Sequence, residues 1–167
     1  IYASQGVGMS LIGKCPAEIY DIHMAEQQPT NHMAWYHWIG HVLEDGILAL
    51  LNTALHMAGK TVQVLPSRYI VSDFERNFAG KTDGELSDNT LLEVKSVSWY
   101  KLQTIIESGL MPHENYDQVQ CYLRYGRYDR AIVIFVARDI PYQALLNSAS
   151  FPAFHLIDVE PYLPRSI

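Results

Sequence analysis

The sixteen residues GKTDGELSDNTLLEVK, Gly80 to Lys95, decide how this chain folds. They alternate as a pair of short strands around the polar Ser87-Asp88-Asn89, which is the pattern of an antiparallel hairpin. With the turn centred on Asp88, residues facing each other across it have numbers that sum to 176. Asp83 then lies opposite Glu93, and Lys81 opposite Lys95. Side chains in a strand alternate faces with a period of two, so Lys95 shares a face with Glu93 and hence with Asp83. Two carboxylates and an ammonium are predicted to converge, with Glu85 on the same face. Facing carboxylates repel, so the arrangement calls for a counter-charge. A hard divalent cation, Mg²⁺ or Mn²⁺, suits carboxylate oxygens and would act on a phosphoryl oxygen, with Lys95 beside it to orient or help deprotonate a water. The alternative is a solvated hairpin in which Asp83, Glu93 and Lys95 make surface ion pairs.

Outward from the hairpin, periodicity defines the neighbouring elements. Upstream, Trp35, Trp38, Ile39, Val42, Leu43, Ile47, Leu50 and Leu51 recur every three or four positions, which predicts a long helix over 32–58, with Asn31 as cap and Gly59-Lys60 as stop. A shorter helix is expected over 14–26. Between the long helix and the hairpin, TVQVLP and RYIVSDF read as strands of a meander that continues through AGKTDGEL and TLLEVKSVSW. Downstream, 101–108 and 115–125 return to helical spacing. The run RAIVIFVAR, 130–138, is apolar enough for a strand buried on both faces, and 154–159 ends the order as a last short strand. The fold class is therefore α/β, with a mixed sheet flanked by helices in one domain over 1–167.

Composition narrows the function classes. The chain has 167 residues, 49% hydrophobic and 18% charged, within the range of an ordinary globular domain. No run approaches the roughly 20 apolar residues that span a bilayer, so no membrane partner is expected. The chain opens on Ile1 without an initiator Met or a charged-then-apolar leader, which reads as a trimmed chain with no secretory signal. Two cysteines, Cys15 and Cys121, are too few for a disulfide framework or a four-cysteine zinc site, and a reducing cytosol is the default compartment, a host's if the source is viral. A net charge of −6 argues against coating nucleic acid by bulk positive potential. Ten of the twelve basic residues nevertheless lie between 60 and 138, so an anionic substrate should be met there.

Resemblance sharpens the chemistry. Gly80-Lys81-Thr82-Asp83, then Glu93-Val94-Lys95, then Gln118 and Tyr122 on a following helix, resemble the GxxD, ExK and QxxxY motifs of RecB-like exonucleases, phage-type members of the PD-(D/E)XK nuclease superfamily. Gly40-His41-Val42-Leu43-Glu44 resembles the family's early histidine with altered spacing. MSLIGKCPAEIYDI, 9–22, is similar to the Ser-x-x-x-x-Cys-Pro opening of related phage and CRISPR-associated proteins. The resemblance covers roughly residues 9–137. It implies a restriction-endonuclease-like αβββαβ core and a Mg²⁺- or Mn²⁺-dependent deoxyribonuclease. Exonucleolysis in phage recombination or DNA processing comes first, with a structure- or sequence-specific endonuclease and a non-catalytic DNA-binding module of the same fold as alternatives. It further implies that Asp83, Glu93 and the Val94 carbonyl bind the metal with His41 as an added ligand, that Lys95 is the catalytic lysine, and that Gln118 and Tyr122 brace the active site. Members with an iron–sulfur cluster use four cysteines, so no cluster is expected here. DNA is the implied partner. A homo-oligomer or a recombination protein is left open.

Several residues carry competing roles. His37, His41 and Glu44 have a spacing that also suits zinc, although nothing obvious completes such a site and His37 reads better as structural. Glu44 or Glu85 is placed to reach a second ion. The run Tyr122 to Arg130 interleaves Arg with Tyr, so Arg124 and Arg127 would contact phosphates, or simply complement a helix end. Lys101 belongs to the same expected nucleic-acid surface. Ser96 and Ser98 would donate to a phosphate or cap the next helix. Both cysteines read as packed thiols.

Overall fold

A computed structural model of the protein describes residues 7–12, 14–15, 31–71, 78–141 and 153–162. The helix expected over 14–26 lies outside them except for its first two positions. Helix α1, Asn31–Met57, is 27 residues long and free of proline. It stops where expected, and the stop is a Schellman motif: the Lys60 N–H donates to the Leu55 carbonyl and the Gly59 N–H to that of His56, both at 3.0 Å. This reversal needs the left-handed backbone that Gly59 adopts at φ 66°.

Five strands form the main sheet in the order β2-β5-β6-β7-β8: β2 Val64–Pro66, β5 Gly84–Leu86, β6 Thr90–Val97, β7 Arg130–Ala137 and β8 Phe154–Val159. β6 and β7 are parallel and the other pairs antiparallel. A parallel pair needs a long crossover, and helices α2, Trp99–Ser108, and α3, His113–Gly126, supply it. Ser98 caps α2 by accepting from the Lys101 N–H, and Asp139 accepts the Trp99 N–H at 2.7 Å. α2 and α3 bury Leu102, Ile105, Val119 and Leu123 against Leu91, Val97, Val133 and Phe135 of one sheet face. α1 covers the other face, with Leu43, Ile47, Leu48 and Leu51 on Val94, Ile134 and Val136. The α/β class with a mixed sheet between helices is thus observed. Among the described residues no helix is long and apolar enough to cross a membrane.

Two expectations are corrected. The stretch AGKTDGEL is not one strand: β4, Phe78–Lys81, leaves the hairpin and joins β1, Val7–Gly8, and β3, Tyr69–Val71, in a second sheet of order β1-β4-β3. Lys81 consequently faces Tyr69 rather than Lys95. The break is held at Thr82. Its N–H donates to the Arg68 carbonyl (3.0 Å) and its hydroxyl accepts from the Arg68 N–H (2.9 Å), so the chain turns away from β6 at that residue. The second correction concerns α1. Trp35, Trp38, Val42 and Leu50, expected on the packed face, are exposed. Apolar residues surround this helix, and periodicity alone does not choose which arc meets the sheet.

Candidate active site

The β5–β6 register is the one the hairpin arithmetic predicts: Gly84 pairs with Leu92, Glu85 with Leu91 and Leu86 with Thr90. Asp83 stands one step beyond the ladder, opposite Glu93, and its side chain continues the pairing by accepting the Val94 N–H on Oδ2 at 2.7 Å. A strand residue turns its N–H and C=O to the same side, so the Val94 carbonyl faces this edge too. Glu93 and Lys95 share the α3 face. Lys95 Nζ donates to Glu93 Oε1 at 2.7 Å and to Gln118 Oε1 at 2.8 Å.

Gln118 and Tyr122 are four apart on α3, hence on one face, and both are buried. Gln118 Nε2 donates to the Tyr122 hydroxyl at 3.4 Å, and that hydroxyl donates to the Lys81 carbonyl at 3.0 Å. A chain of hydrogen bonds thus runs from Glu93 through Lys95, Gln118 and Tyr122 to the strand that leads into Asp83. Gly80 makes room for it, since a Cβ there would sit 2.6 Å from Tyr122 Cε1 and 3.0 Å from Met9 Cβ. Gly80→Ala is therefore expected to destabilise the protein by about 1–3 kcal/mol through overpacking against a phenol that is hydrogen-bonded in place, read as a lower urea midpoint. An unchanged midpoint would show that Tyr122 yields freely.

The electrostatics mark the acids as strained without a counter-ion. Burial, then the charge of Glu93 and that of Glu44, push the Asp83 carboxyl up to about 8, against the lowering effects of the Val94 N–H and Lys95. Glu93, only 2% exposed, is raised by burial and by Glu44, with Lys95 opposing. Tyr122 is raised by burial and by the charge of Glu93, which keeps it a hydroxyl donor. One oxygen, Glu93 Oε2, is buried with no hydrogen-bond partner. An orphaned carboxylate oxygen beside a second buried acid and a strand-edge carbonyl is a donor set that fits a hard divalent cation.

The shift of Asp83 has a consequence for stability. Between about pH 4 and pH 8 the folded protein holds a proton on Asp83 that the unfolded chain releases, so stability without metal falls as pH rises through that window. The expected result in chelator is a melting temperature higher at pH 6 than at pH 8.5, with a smaller difference in Asp83→Asn. Equal pH slopes for the two proteins would remove Asp83 as the cause.

Other expected residues stand apart from this group. On α1, His41 is 78% exposed and its Nδ1 lies 3.4 Å from Glu44 Oε2. It is Glu44 whose charge is felt at both acids. No group of three His, Cys, Asp or Glu positioned to share a metal occurs among the described residues, and the His37 side chain lies outside them. Glu85 is taken up by the Tyr128 hydroxyl at 2.6 Å and by Arg68 Nε at 3.3 Å, which leaves it poorly placed for a second ion. Ser96 Oγ is buried without a partner and, by strand alternation, turns to the α1 face, so as it stands it is closed to a phosphate. Lys101 pairs with Glu114 at 3.3 Å. Arg124 and Arg127 are exposed at the C-terminal end of α3, six and nine residues beyond Gln118.

Arg68 was not legible as part of this region. Its backbone holds Thr82, its Nη2 donates to the Gly126 carbonyl at 2.8 Å, and its guanidinium lies 4.7 Å from the Tyr128 ring centroid. It ties the Thr82-Asp83 bend to the end of α3. No local pattern announces a partnership across 58 and 60 residues.

No family model matches the chain, and no curated protein matches it in sequence. Solved structures do. An alkaline exonuclease, LHK-Exo from Laribacter hongkongensis, superposes with TM-score 0.62 at 16% identity, over 93% of this chain and 77% of that one. The same protein in complex with dAMP gives TM-score 0.64 at 16% identity, over 96% and 80%. A phage related exonuclease from Haemophilus somnus 129PT gives TM-score 0.54 at 15% identity, over 94% and 85%. Likeness at such identity is likeness of fold. The mixed five-stranded sheet between helices is the architecture these proteins share with the present chain.

Proposed function

We propose that this protein is a metal-dependent deoxyribonuclease of the RecB-like, PD-(D/E)XK type that hydrolyses phosphodiester bonds in DNA from strand ends, in phage recombination or DNA processing. The convergence of Asp83, Glu93 and Lys95, with Glu93 Oε2 left without a partner, carries this reading. Its fold, shared with an alkaline and a phage-related exonuclease, supports it. So does the dAMP bound by one of those proteins, a nucleotide in keeping with a DNA substrate.

Asp83, Glu93 and the Val94 carbonyl would hold Mg²⁺ or Mn²⁺. When bound, the ion supplies Lewis-acid polarisation of a phosphoryl oxygen and a water of lowered pKa. His41 is assigned as the added ligand from α1, beside Glu44, whose charge raises both acids. Lys95 has three N–H donors, two of them committed to Glu93 and Gln118. The third is available to a phosphate oxygen or to the attacking water, where a fixed positive charge favours the more negative transition state. Gln118 accepts from Lys95 and thereby sets its direction, while Tyr122 keeps Gln118 and the Lys81 carbonyl in register. Arg124 and Arg127 are assigned to backbone phosphates.

The test is incubation with linear DNA, end-labelled on either strand, and with closed circular DNA, in Mg²⁺, Mn²⁺ or chelator. Loss of linear DNA from its ends in either metal, with circles intact and no reaction in chelator, is expected. Cutting of circles would replace this reading by an endonuclease. DNA binding without cleavage under every condition would replace it by a non-catalytic binding module.

A further inference from the structure

Asp83 sits on a crossing between the two sheets. β4 ends at Lys81 and β5 begins at Gly84, while on the neighbouring stretch β2 ends at Pro66 and β3 begins at Tyr69. The register is the same on both sides of the gap, with Leu65 opposite Glu85 in the main sheet and Tyr69 opposite Lys81 in the second. Ser67-Arg68 and Thr82-Asp83 therefore run side by side where the sheets part, and Asp83 belongs to neither ladder. Its neighbours in sequence are held by Arg68. Before it, the Thr82 N–H donates to the Arg68 carbonyl at 3.0 Å and the Arg68 N–H to the Thr82 hydroxyl at 2.9 Å. After it, Glu85 Oε2 lies 3.3 Å from Arg68 Nε and accepts the Tyr128 hydroxyl at 2.6 Å.

The Arg68 side chain is in turn fixed to the end of α3. Its Nε donates to the Tyr128 hydroxyl at 3.2 Å, its Nη2 donates to the Gly126 carbonyl at 2.8 Å, and the guanidinium stands 4.7 Å from the Tyr128 ring centroid. Tyr128 is fully buried, and Gly126 closes α3, where a cation meets the negative end of the helix dipole. A Cβ on Gly126 would lie 2.5 Å from Tyr128 Cε2, so this corner is closely packed. α3 also carries Gln118 and Tyr122, which direct Lys95. One planar fork thus joins the stretch that holds Asp83 to the helix that aims the lysine, a geometry an ammonium does not reproduce. None of these bonds ends on Asp83 or Glu93 themselves. We propose that Arg68 is a positioning residue that sets the place of Asp83 relative to Glu93, and with it the affinity of the two acids for a divalent cation. The role rests on the proposed metal-binding function of those acids.

Calorimetry with Mn²⁺ and no DNA reads this role directly. Arg68→Met keeps the length and apolar stem of the side chain and removes the guanidinium. It is expected to weaken Mn²⁺ binding about tenfold or more, the usual effect of losing a group that orients a metal ligand. The Mn²⁺ concentration that gives half-maximal cleavage should rise by the same factor. The direction separates position from field: a nearby positive charge repels a metal ion, so if Arg68 acted only through its charge, removing it would strengthen Mn²⁺ binding. Arg68→Lys keeps the charge and only part of the fork, and its Mn²⁺ affinity should fall between those of the parent and Arg68→Met. If circular dichroism shows that Arg68→Met does not fold, Arg68→Lys decides: affinity below that of the parent upholds the role, and equal affinity overturns it. Unchanged or tighter Mn²⁺ binding in both variants, with only a lower melting temperature, assigns Arg68 to stability alone and overturns the proposal. So does a higher KM for DNA at unchanged Mn²⁺ affinity, which would make Arg68 a phosphate contact. Mn²⁺ binding that the variants weaken, in a protein that cleaves no DNA, upholds the positioning role and removes the nuclease. A parent that binds no Mn²⁺ removes the metal site and this role together, so the two failures are told apart.

Discussion

Lys95→Ala is expected to keep its fold and to lose on the order of 10²- to 10³-fold in hydrolytic rate, the usual cost of deleting one fixed charge that acts mainly on the transition state. The loss should appear chiefly in kcat, because the ammonium helps most when the phosphate gains charge. Removing one partner of a buried ion pair often costs several kcal/mol by stranding the other. Here the stranded partner can neutralise itself: burial already raises the Glu93 carboxyl, and without Lys95 it takes a proton. The variant should therefore unfold at a temperature closer to that of the parent at pH 6 than at pH 8.5. Gln118 also loses a donor to its Oε1, so a modest loss of stability remains at every pH. Turnover equal to that of the parent would remove Lys95 from the mechanism.

Asp83→Asn should abolish both Mn²⁺ binding and cleavage, and yet leave a protein that is more heat-stable in chelator above pH 8. An asparagine Oδ1 can still accept the Val94 N–H, so the hairpin keeps its last hydrogen bond. What disappears is a buried negative charge facing Glu93 and Glu44, the charge whose cost pushes the Asp83 carboxyl up to about 8. A residue that destabilises the free protein and is relieved by a ligand is the expected signature of a binding site. Calorimetry carries the decision. Mn²⁺ affinity unchanged from the parent would refute Asp83 as a ligand, whatever the activity.

The contrast between His41 and Glu44 shows how much of a helical motif's geometry depends on the rotation of the whole helix. Gly40-His41-Val42-Leu43-Glu44 drew attention to this segment through its histidine. In the folded protein His41 is mostly in solvent, and the acid three residues later is the one felt at Asp83 and Glu93. Three residues are about 300° of helix, so which of two neighbours faces a sheet depends on how the helix is rotated about its axis. That rotation is set here by Leu43, Ile47, Leu48 and Leu51 packing on β6 and β7. Trp35 and Trp38 look equally suited to a core by type and spacing and lie outside for the same reason.

By itself the sequence determined the facing of Asp83 and Glu93, the shared face of Lys95, the adjacency of Gln118 and Tyr122, and the extents of β8 and, within a few residues, of α1, α3 and β7. Each of these follows from a period of two or 3.6 acting over a short stretch, or from a turn whose centre the polar residues mark. Tertiary structure alone decided that β4 joins a second sheet, that Arg68 holds the Thr82 bend, that Glu85 is spent on Tyr128 and that α1 turns its tryptophans outward. Those outcomes depend on contacts between residues distant in sequence or on the orientation of a whole element. The free energy that selects them comes from packing and hydrogen bonding across elements, which local periodicity does not encode.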